Sequence, residues 1–199
     1  MSKMEGQSEA IRRAKVALAG VDIPARCDML GMGASRNGEI AFRAFGADCV
    51  LRLDKLELVA AASGKEMKPG DQILVLHYLL YEVAVKESGE LISFRDMPGG
   101  QFYWGPFLSR SIDPLLKRVG NNIEVLKANL NRFDWHEYPA GDLAAKVHVV
   151  GNLYGYLVYH RGDEEFGAAA EMLFDSCIKR VYNSEDVAFA ASRICLGLL

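Results

Sequence analysis

Three consecutive carboxylates, Asp163, Glu164 and Glu165, are the residues of this chain whose types best suit chemistry. Carboxylate oxygens bind hard cations such as Mg²⁺ or Ca²⁺, and two carboxyl groups with separated pKa values can divide the roles of acid and base. Consecutive side chains on a turn diverge, however, and the alternating pattern of a calcium loop is absent. The cluster is open to three interpretations: a solvated turn that ends a strand, a contact for a cation or a basic partner, or a catalytic pair. His160 would complete a metal site, or would only orient a carboxylate.

The richest group of aromatic residues lies in residues 94–110 (FRDMPGGQFYWGPFLSR), here called the aromatic segment. It holds five aromatics, three glycines, two prolines and two arginines. Rings set among backbone-breaking residues predict a shaped loop rather than core helix or strand, and ordered loops are where binding sites concentrate. Gly99 and Gly100 lack the spacing of a nucleotide phosphate loop, so they predict a tight chain reversal.

Two arginines flank the aromatic segment and suit the recognition of an anion. The planar guanidinium groups of Arg95 and Arg110 match a carboxylate or a phosphate through two parallel hydrogen bonds. A structural interpretation stays open for Arg95, because it could pair with Asp96 or with the carboxylates after His160 and only fix the loop.

We expect the aromatic segment and residues 162–166, here called the acidic turn, to form the two sides of one cleft. The rings would supply apolar walls, the arginines would hold an anion, and the carboxylates would bind a cation or a basic group of a partner. The candidate binding residues are Phe94, Arg95, Asp96, Gly99, Gly100, Tyr103, Trp104, Phe107, Arg110, Asp163, Glu164, Glu165 and Phe166.

This cleft predicts a non-catalytic module that binds a small-molecule anion or a protein partner. Two alternatives remain open. One is a metal-assisted or acid/base enzyme that acts on a small substrate, and the other is a structural or protein-interaction domain whose rings form an interface or plain core. No catalytic residue is assigned, because neither a Ser–His–Asp arrangement nor a GxSxG motif is present. His77 is interpreted as a core residue, and His136 and His148 lack a second ligand nearby in sequence.

The composition is that of an ordinary globular protein. The chain has 199 residues, a net charge of −3 and 50% hydrophobic residues, which fit one domain or one domain with a small appendage. A negative charge without a basic cluster argues against a nucleic-acid binder. The longest apolar runs fall far short of the about 20 residues that span a bilayer, and the first residues do not form a secretory signal. We therefore expect a cytoplasmic protein, monomeric or homodimeric, with no membrane role.

The cysteines lack the close spacing of zinc or iron–sulfur ligands. We expect all of them to be buried small hydrophobes in a reducing cytosol, and we assign no metal site. Electropositive neighbours that would activate a thiolate follow only the third one, Cys177. The four cysteines are Cys27, Cys49, Cys177 and Cys195.

Periodicity predicts an α+β fold, with mainly antiparallel sheets packed against a central buried helix and a C-terminal helix. Ser184 is expected to cap the last helix, and the pairs 175–176 and 185–186 are interpreted as helix caps. We divide the chain into an N-terminal helix and loop (residues 1–35) and a single α+β domain (residues 36–199). Helices are predicted over residues 8–18, 71–85, 114–119, 123–133 and 185–199, strands over 39–45, 49–53, 56–61, 135–138, 145–150 and 155–160, a loop over 21–37, and either a strand or a helix over 168–174.

Several of these motifs occur in an order that resembles a known family. They are GD (70–71), LHYL (76–79), SFRDMPGG (93–100), Tyr103, PF (106–107), PL (114–115), GDEEF (162–166), LFD (173–175) and ED (185–186). Over residues 36–198 the chain resembles the bacterial and archaeal family catalogued as domain of unknown function 3786.

The resemblance implies little chemistry, because the family has no established activity, and it assigns neither a catalytic residue nor a cofactor. The family is common in anaerobes, and some members are joined to a cysteine-rich iron–sulfur segment that this sequence does not contain. The resemblance therefore implies an accessory role beside an iron–sulfur or corrinoid protein of anaerobic metabolism.

Overall fold

The computed structural model describes residues 3–199, and its internal contacts divide the chain into two compact units. Unit 1 comprises the chain up to Lys86 together with Val150–Asn152, and unit 2 comprises Glu87–Val149 and Leu153–Leu199. Helices and antiparallel strands occur in both units, so the predicted α+β class is confirmed. The domain boundary proposed at residue 35 stays a prediction.

Unit 1 is an antiparallel three-stranded sheet with three helices. A tight two-residue turn joins its first two strands, and Phe45 and Gly46 both have positive φ (50° and 77°), as the hairpin turns that match strand twist require. The strands predicted over residues 39–45, 49–53 and 56–61 are therefore confirmed. The elements are α1 (Lys3–Ala17), α2 (Ile23–Met29), β1 (Glu39–Ala44), β2 (Ala47–Arg52), β3 (Glu57–Ala60) and α3 (Pro69–Leu79), and the strand order is β3-β2-β1.

The central helix of unit 1 is α3, which is buried as predicted. Pro69 begins it, and Leu74, Val75, Leu76 and Leu79 are all buried. The buried hydroxyl of Tyr78 donates to the carbonyl of Leu30 at 2.7 Å and accepts from the amide N–H of Asn152 at 3.0 Å. Residues 150–152 are thus bonded to unit 1 through the last turn of α3.

Two predictions for unit 1 are wrong. The predicted loop over residues 21–37 contains α2, whose start is marked by the Asp22 side chain, which accepts from the amide of Ala25, and by a proline in the first turn. The helix predicted over residues 71–85 ends at Leu79 instead. Arg26 donates to the carbonyls of Leu79 and Tyr81, both at 2.9 Å, and so satisfies helix-end acceptors that sequence periodicity does not reveal.

Unit 2 combines an antiparallel sheet with short helices. Its strand order is β6-β7-β8-β4, and β5 pairs with β6. The segment predicted as either strand or helix is the strand β8. The elements are β4 (Leu91–Ser93), α4 (Trp104–Arg110), α5 (Ile112–Val119), α6 (Ile123–Leu130), β5 (Trp135–Glu137), β6 (Leu143–Val150), β7 (Leu153–His160), β8 (Ala169–Asp175), α7 (Ile178–Val181) and α8 (Ser184–Gly197), with a single 3₁₀ turn at Phe94–Asp96.

The last helix, α8, packs against the sheet of unit 2. Gly155 on β7 makes room for it, because a Cβ at that position would lie 2.8 Å from the Ile194 side chain. The cap of α8 differs from the prediction: Asn183 accepts from the amide of Asp186 at 2.9 Å, whereas the Ser184 hydroxyl donates to the carbonyl of Pro98 at 2.5 Å. Among the helices of residues 3–199, none combines the length and the apolar content that crossing a membrane requires.

Candidate functional site

The aromatic segment begins with a turn in which its one carboxylate, that of Asp96, is engaged in local hydrogen bonds. The carboxylate of Asp96 accepts from the amide and the hydroxyl of Ser93 at 2.8 and 2.9 Å, and the same hydroxyl accepts from the amide of Arg95 at 3.2 Å. These hydrogen bonds to the charged form lower the pKa of Asp96. The reciprocal pair is a capping box, so Asp96 fixes the backbone and does not hold the Arg95 side chain.

A chain reversal follows, as the glycines predicted. Successive backbone hydrogen bonds run from Met97 to Phe94 (3.1 Å), from Gly100 to Met97 (2.8 Å) and from Phe102 to Gly99 (3.1 Å). Gly99 has φ +73°, and a Cβ on Gly100 would collide with the carbonyl of Phe94. The turn is therefore tightly constrained up to the point where the exposed rings begin.

Part of the aromatic segment is a helix rather than a loop, which corrects the prediction. Trp104–Arg110 forms α4, and the Phe107 side chain points from it into the core of unit 2, where it stacks on Phe94 with ring centroids 4.3 Å apart. Trp104 also stacks on Phe107, with ring centroids 5.3 Å apart. The guanidinium of Arg95 then lies 4.4 Å from the centre of the Trp104 ring. Core and surface are joined by one continuous stack.

Two aromatic side chains of the segment point into solvent. Phe102 is 90% exposed and Tyr103 is 63% exposed. Trp104 is partly accessible to solvent. The guanidinium that lies over its ring belongs to Arg95, an exposed residue nearby in sequence. Of the predicted ring set, Phe94 and Phe107 are buried core, whereas the surface is formed by Tyr103, Trp104 and a residue that the prediction omitted, Phe102.

The two arginines of the segment keep their charges available. Within residues 3–199, neither Arg95 nor Arg110 forms an ion pair, and both are exposed. Arg110 lies in the last turn of α4, where its carbonyl accepts from the hydroxyl of Ser192 at 2.8 Å. Lys179 is close enough to Asp96 to contribute to its lowered pKa. This surface therefore carries positive charge although the whole chain is negative.

The acidic turn is organised by its first carboxylate. The carboxylate of Asp163 accepts from the amides of Glu165 and Phe166 at 2.9 and 2.8 Å, and the Asp163 amide donates to the carbonyl of Phe166 at 2.8 Å. These backbone bonds lower the pKa of Asp163. Glu164 and Glu165 are exposed, and Phe166 is 70% exposed. Asp163 thus shapes the turn, and the other carboxylates lie in solvent.

The acidic turn is attached to the start of α6. Gly162 exchanges two hydrogen bonds with the side chain of Asn121, at 2.8 and 3.0 Å. In the described part of the chain, no group of three or more His, Cys, Asp or Glu side chains is placed to hold a metal ion. Nor does any hydrogen bond, ion pair or ring contact join the acidic turn to the aromatic segment within residues 3–199. The single cleft formed by both stretches stays a prediction.

Comparison with known protein families identifies the family of this chain. The model of the family described as "Domain of unknown function (DUF3786)" matches residues 22–196. The chain belongs to this family. The match covers both the aromatic segment and the acidic turn, and it begins at Asp22, the residue that caps α2. Searches of curated proteins and of solved structures found no match for this DUF3786 chain.

A polar cluster on the sheet of this DUF3786 chain was missed by sequence reasoning. The carboxylate of Glu87 accepts from the ammonium of Lys146 at 2.5 Å and from the hydroxyl of Tyr156 at 2.6 Å. The same ammonium lies 4.3 Å from the ring centre of Tyr154. Burial and the hydrogen bond to Glu87 raise the pKa of Tyr156 strongly, so it remains a phenol. Strand alternation could have placed Lys146, Tyr154 and Tyr156 on one face, but nothing in sequence links them to Glu87.

Asp175 has a larger role than the helix cap that was predicted. It is 4% exposed, and its carboxylate accepts from the amides of Ser88, Gly89 and Cys177 at 2.8 to 2.9 Å. The Ser88 hydroxyl donates to it as well, at 3.0 Å. Burial alone would raise the pKa of Asp175, but these hydrogen bonds outweigh burial and lower it to about 2. Asp175 therefore fastens the strand that leads into the aromatic segment.

Proposed function

We propose that this DUF3786 chain is a non-catalytic accessory module that binds a protein partner through the exposed part of the aromatic segment. This partner surface consists of Arg95, Phe102, Tyr103 and Trp104. The observation that carries the proposal is the 90% exposure of Phe102 and the 63% exposure of Tyr103 directly after a tightly constrained turn.

Exposed rings on a constrained backbone suit binding for an energetic reason. Burying a fully exposed phenylalanine side chain contributes about 1.5–3 kcal/mol, and a ring whose backbone is already fixed loses less conformational entropy on binding than one on a mobile loop. Tyr, Trp and Arg are also the residue types that dominate binding energy at protein interfaces. The partner surface combines these features on one short stretch of chain.

A catalytic role has less support from the geometry of the described residues. Glu164 and Glu165 lie in solvent, and Asp163 is engaged by its own turn. Acid/base catalysis needs carboxyl groups that converge on one point with displaced pKa values. The acid/base enzyme and the binder of a small anion stay as the two other predictions. A thermal-shift screen of divalent ions and small anions would support either one by raising the melting temperature.

A cytoplasmic location is part of the proposal. All four cysteines, two in each unit, are buried free thiols, which fits the reducing compartment in which unpaired cysteines are usual. The partners that family resemblance implies, iron–sulfur or corrinoid proteins of anaerobic metabolism, remain a proposal that only partner identification tests.

Partner capture with matched surface variants tests the proposed function. Tagged wild-type protein and the double variant Phe102→Ser/Tyr103→Ser would be incubated with extract of the source organism, and the retained proteins quantified by mass spectrometry. We expect at least one protein to be retained by the wild type and reduced about tenfold or more in the double variant, because lost aromatic anchors cost about 2 kcal/mol or more each.

The control is Val125→Ser, which removes an apolar side chain that is 43% exposed on α6, outside the partner surface. It should retain the partner as the wild type does. Equal thermal melting of all three proteins would show that the double variant folds. Undiminished retention by the folded double variant, or no specific retention by the wild type, would contradict the proposal.

A further inference from the structure

The partner surface contains a cation that no carboxylate of the described chain pairs with. Arg95 is exposed, and its guanidinium carbon lies 4.4 Å from the centre of the Trp104 ring. Within residues 3–199, Arg95 forms no ion pair. A guanidinium is planar and its N–H donors lie in that plane, so a ring that covers one face leaves the donors available. Trp104 therefore holds the Arg95 side chain without using its hydrogen bonds.

The carboxylates of this region are engaged elsewhere or lie apart from Arg95. Asp96, the next residue, accepts hydrogen bonds from the amide and the hydroxyl of Ser93 instead. Glu185 lies at the edge of the aromatic segment, because the residue before it donates a hydrogen bond to the carbonyl of Pro98. No ion pair joins Glu185 to Arg95 in the described part of the chain. The guanidinium can therefore receive a carboxylate from another molecule.

Further cations lie beside the partner surface. Lys179 is exposed, and its charge contributes to the lowered pKa of Asp96. The next residue, Arg180, is exposed as well, and neither cation forms an ion pair among the described residues. Together with Arg95 they outnumber the carboxylates of Asp96 and Glu185. Because the whole chain has a net charge of −3, this local excess of positive charge favours a partner with negative charge at this place.

The exposed rings indicate what carries that negative charge. Phe102 and Tyr103 point into solvent next in sequence to Trp104. A small inorganic anion bound to Arg95 would leave these rings in water, whereas a peptide can place an apolar side chain on them and a carboxylate on the guanidinium. Carboxylates of Glu and Asp match a guanidinium through two parallel hydrogen bonds. A peptide segment that is both acidic and apolar satisfies both parts of the surface.

We propose that the partner binds through a segment that carries glutamate or aspartate next to apolar residues. This rests on the partner-binding function proposed above and adds the chemistry of the partner. A side-chain carboxylate of the segment pairs with Arg95 beside the Trp104 ring, and an apolar side chain packs on Phe102 and Tyr103. Lys179 attracts a further carboxylate of the segment at longer range.

A titration followed by nuclear magnetic resonance tests this partner chemistry. The probes are acetyl-Leu-Glu-Phe-Glu-Leu-amide and its uncharged analogue, acetyl-Leu-Gln-Phe-Gln-Leu-amide. For the glutamate peptide we expect saturable shifts of the Trp104 indole N–H and the Arg95 Nε–H signals, with a dissociation constant on the order of 1 mM for so few contacts. The glutamine peptide should bind about tenfold more weakly, because it lacks the charge-assisted pair.

Variants distinguish a specific pair from general attraction of an anion. Arg95→Gln should reduce the tenfold ratio between the two peptides to about one, because the carboxylate has lost its partner. Arg161→Gln removes the same charge from an exposed arginine beside the acidic turn and should keep the ratio. Unchanged amide spectra away from each substitution would show that both variants fold. Equal binding of the two peptides by the wild type, absence of shifts at Trp104, or the same loss in both variants would overturn the proposal.

Partner capture separates this proposal from the function on which it rests. If Arg95→Gln retains the captured protein as the wild type does, the partner function stands and the acidic segment is excluded. If the glutamate peptide binds through Arg95 but extract yields no specific partner, the site for an acidic segment stands and the partner function fails. Self-association in light scattering that Arg95→Gln abolishes would make a second copy of this chain the occupant and would overturn the proposal.

Discussion

At the scale of single residues, Asp175 shows how one buried carboxylate can organise a loop. Three backbone amides and a hydroxyl converge on it from two stretches of chain that are far apart in sequence, residues 88–89 and Cys177. Because β4 begins soon after residue 89 and leads into the aromatic segment, Asp175 fixes the approach to the partner surface from a distance.

Replacing Asp175 with asparagine should destabilise the protein by about 1–3 kcal/mol, because an amide offers one acceptor oxygen and turns its NH₂ group toward backbone donors. Chemical denaturation at neutral pH measures the change. Asp142→Asn is the control. Asp142 is exposed and accepts one amide hydrogen bond, so its loss should cost a few tenths of a kcal/mol. Equal effects of the two variants would contradict the role of Asp175.

The pH dependence follows from the lowered pKa of Asp175, about 2 against an ordinary 3.8. A carboxylate with a depressed folded-state pKa stabilises the protein above its unfolded-state pKa, and that contribution is lost as the pH falls through the folded-state value. The difference in unfolding free energy between wild type and Asp175→Asn should therefore be constant above about pH 5 and shrink between about pH 4 and pH 2. A difference that stays constant down to about pH 2 would contradict this assignment.

At the scale of elements, the aromatic segment shows what sequence patterns resolve and what they miss. The run of glycines correctly predicted a chain reversal at Gly99 and Gly100, since both positions are constrained by backbone geometry. The helix α4 was missed because it is short, contains Gly105 and Pro106, and owes its position to the stacking of Phe107 on Phe94. Such a tertiary contact leaves no periodic pattern in the sequence, so propensity and periodicity do not predict it.

Two glycines of this segment give opposite expectations for the same substitution. Gly100→Ala should destabilise the protein by about 1–3 kcal/mol, because the added methyl group meets the carbonyl of Phe94 in a backbone turn that cannot move freely. Gly105→Ala should be neutral or stabilising by up to about 1 kcal/mol, because Gly105 lies in α4 with open space around it. Thermal unfolding compares them, and the same sign for both would show that the turn is not constrained as described.

The strands were easier to predict than the site. Alternating burial along β1 follows directly from the sequence EIAFRA, and the hairpin turn follows from the short interval between two strand patterns. The ion pair of Lys146 with Glu87, by contrast, spans 59 positions, and the end of α3 depends on Arg26 of another helix. Hydrophobic periodicity predicts which face is buried, but it carries no information about which distant polar groups meet there.

At the scale of the whole molecule, the buried cysteines report on each unit separately. Burial raises the pKa of Cys27, Cys177 and Cys195 to about 12 and that of Cys49 to about 11. Cys27 and Cys49 belong to unit 1, and Cys177 and Cys195 belong to unit 2. A thiol that is buried and protonated reacts slowly, so labelling requires the surrounding structure to open.

We expect little alkylation of any thiol in the native protein. In mild denaturant, the two cysteines of one unit should be labelled at the same free energy of opening, because each compact unit opens as a whole. Mass spectrometry of the peptides measures the four rates, and rates in the fully unfolded protein supply the reference. Clearly different opening energies for Cys27 and Cys49, or rapid labelling of the native protein, would contradict the burial or the cooperativity of the units.

The bond from Asn152 to Tyr78 has a consequence for how the chain is made. Unit 1 requires residues 150–152, but these leave the ribosome only after Glu87–Val149 of unit 2 have been synthesised. Unit 1 therefore remains incomplete while most of the sequence that follows Lys86 is synthesised. It can be completed only when residues 150–152 become available, much later in translation. For the same reason, no single cut in the backbone yields both units intact.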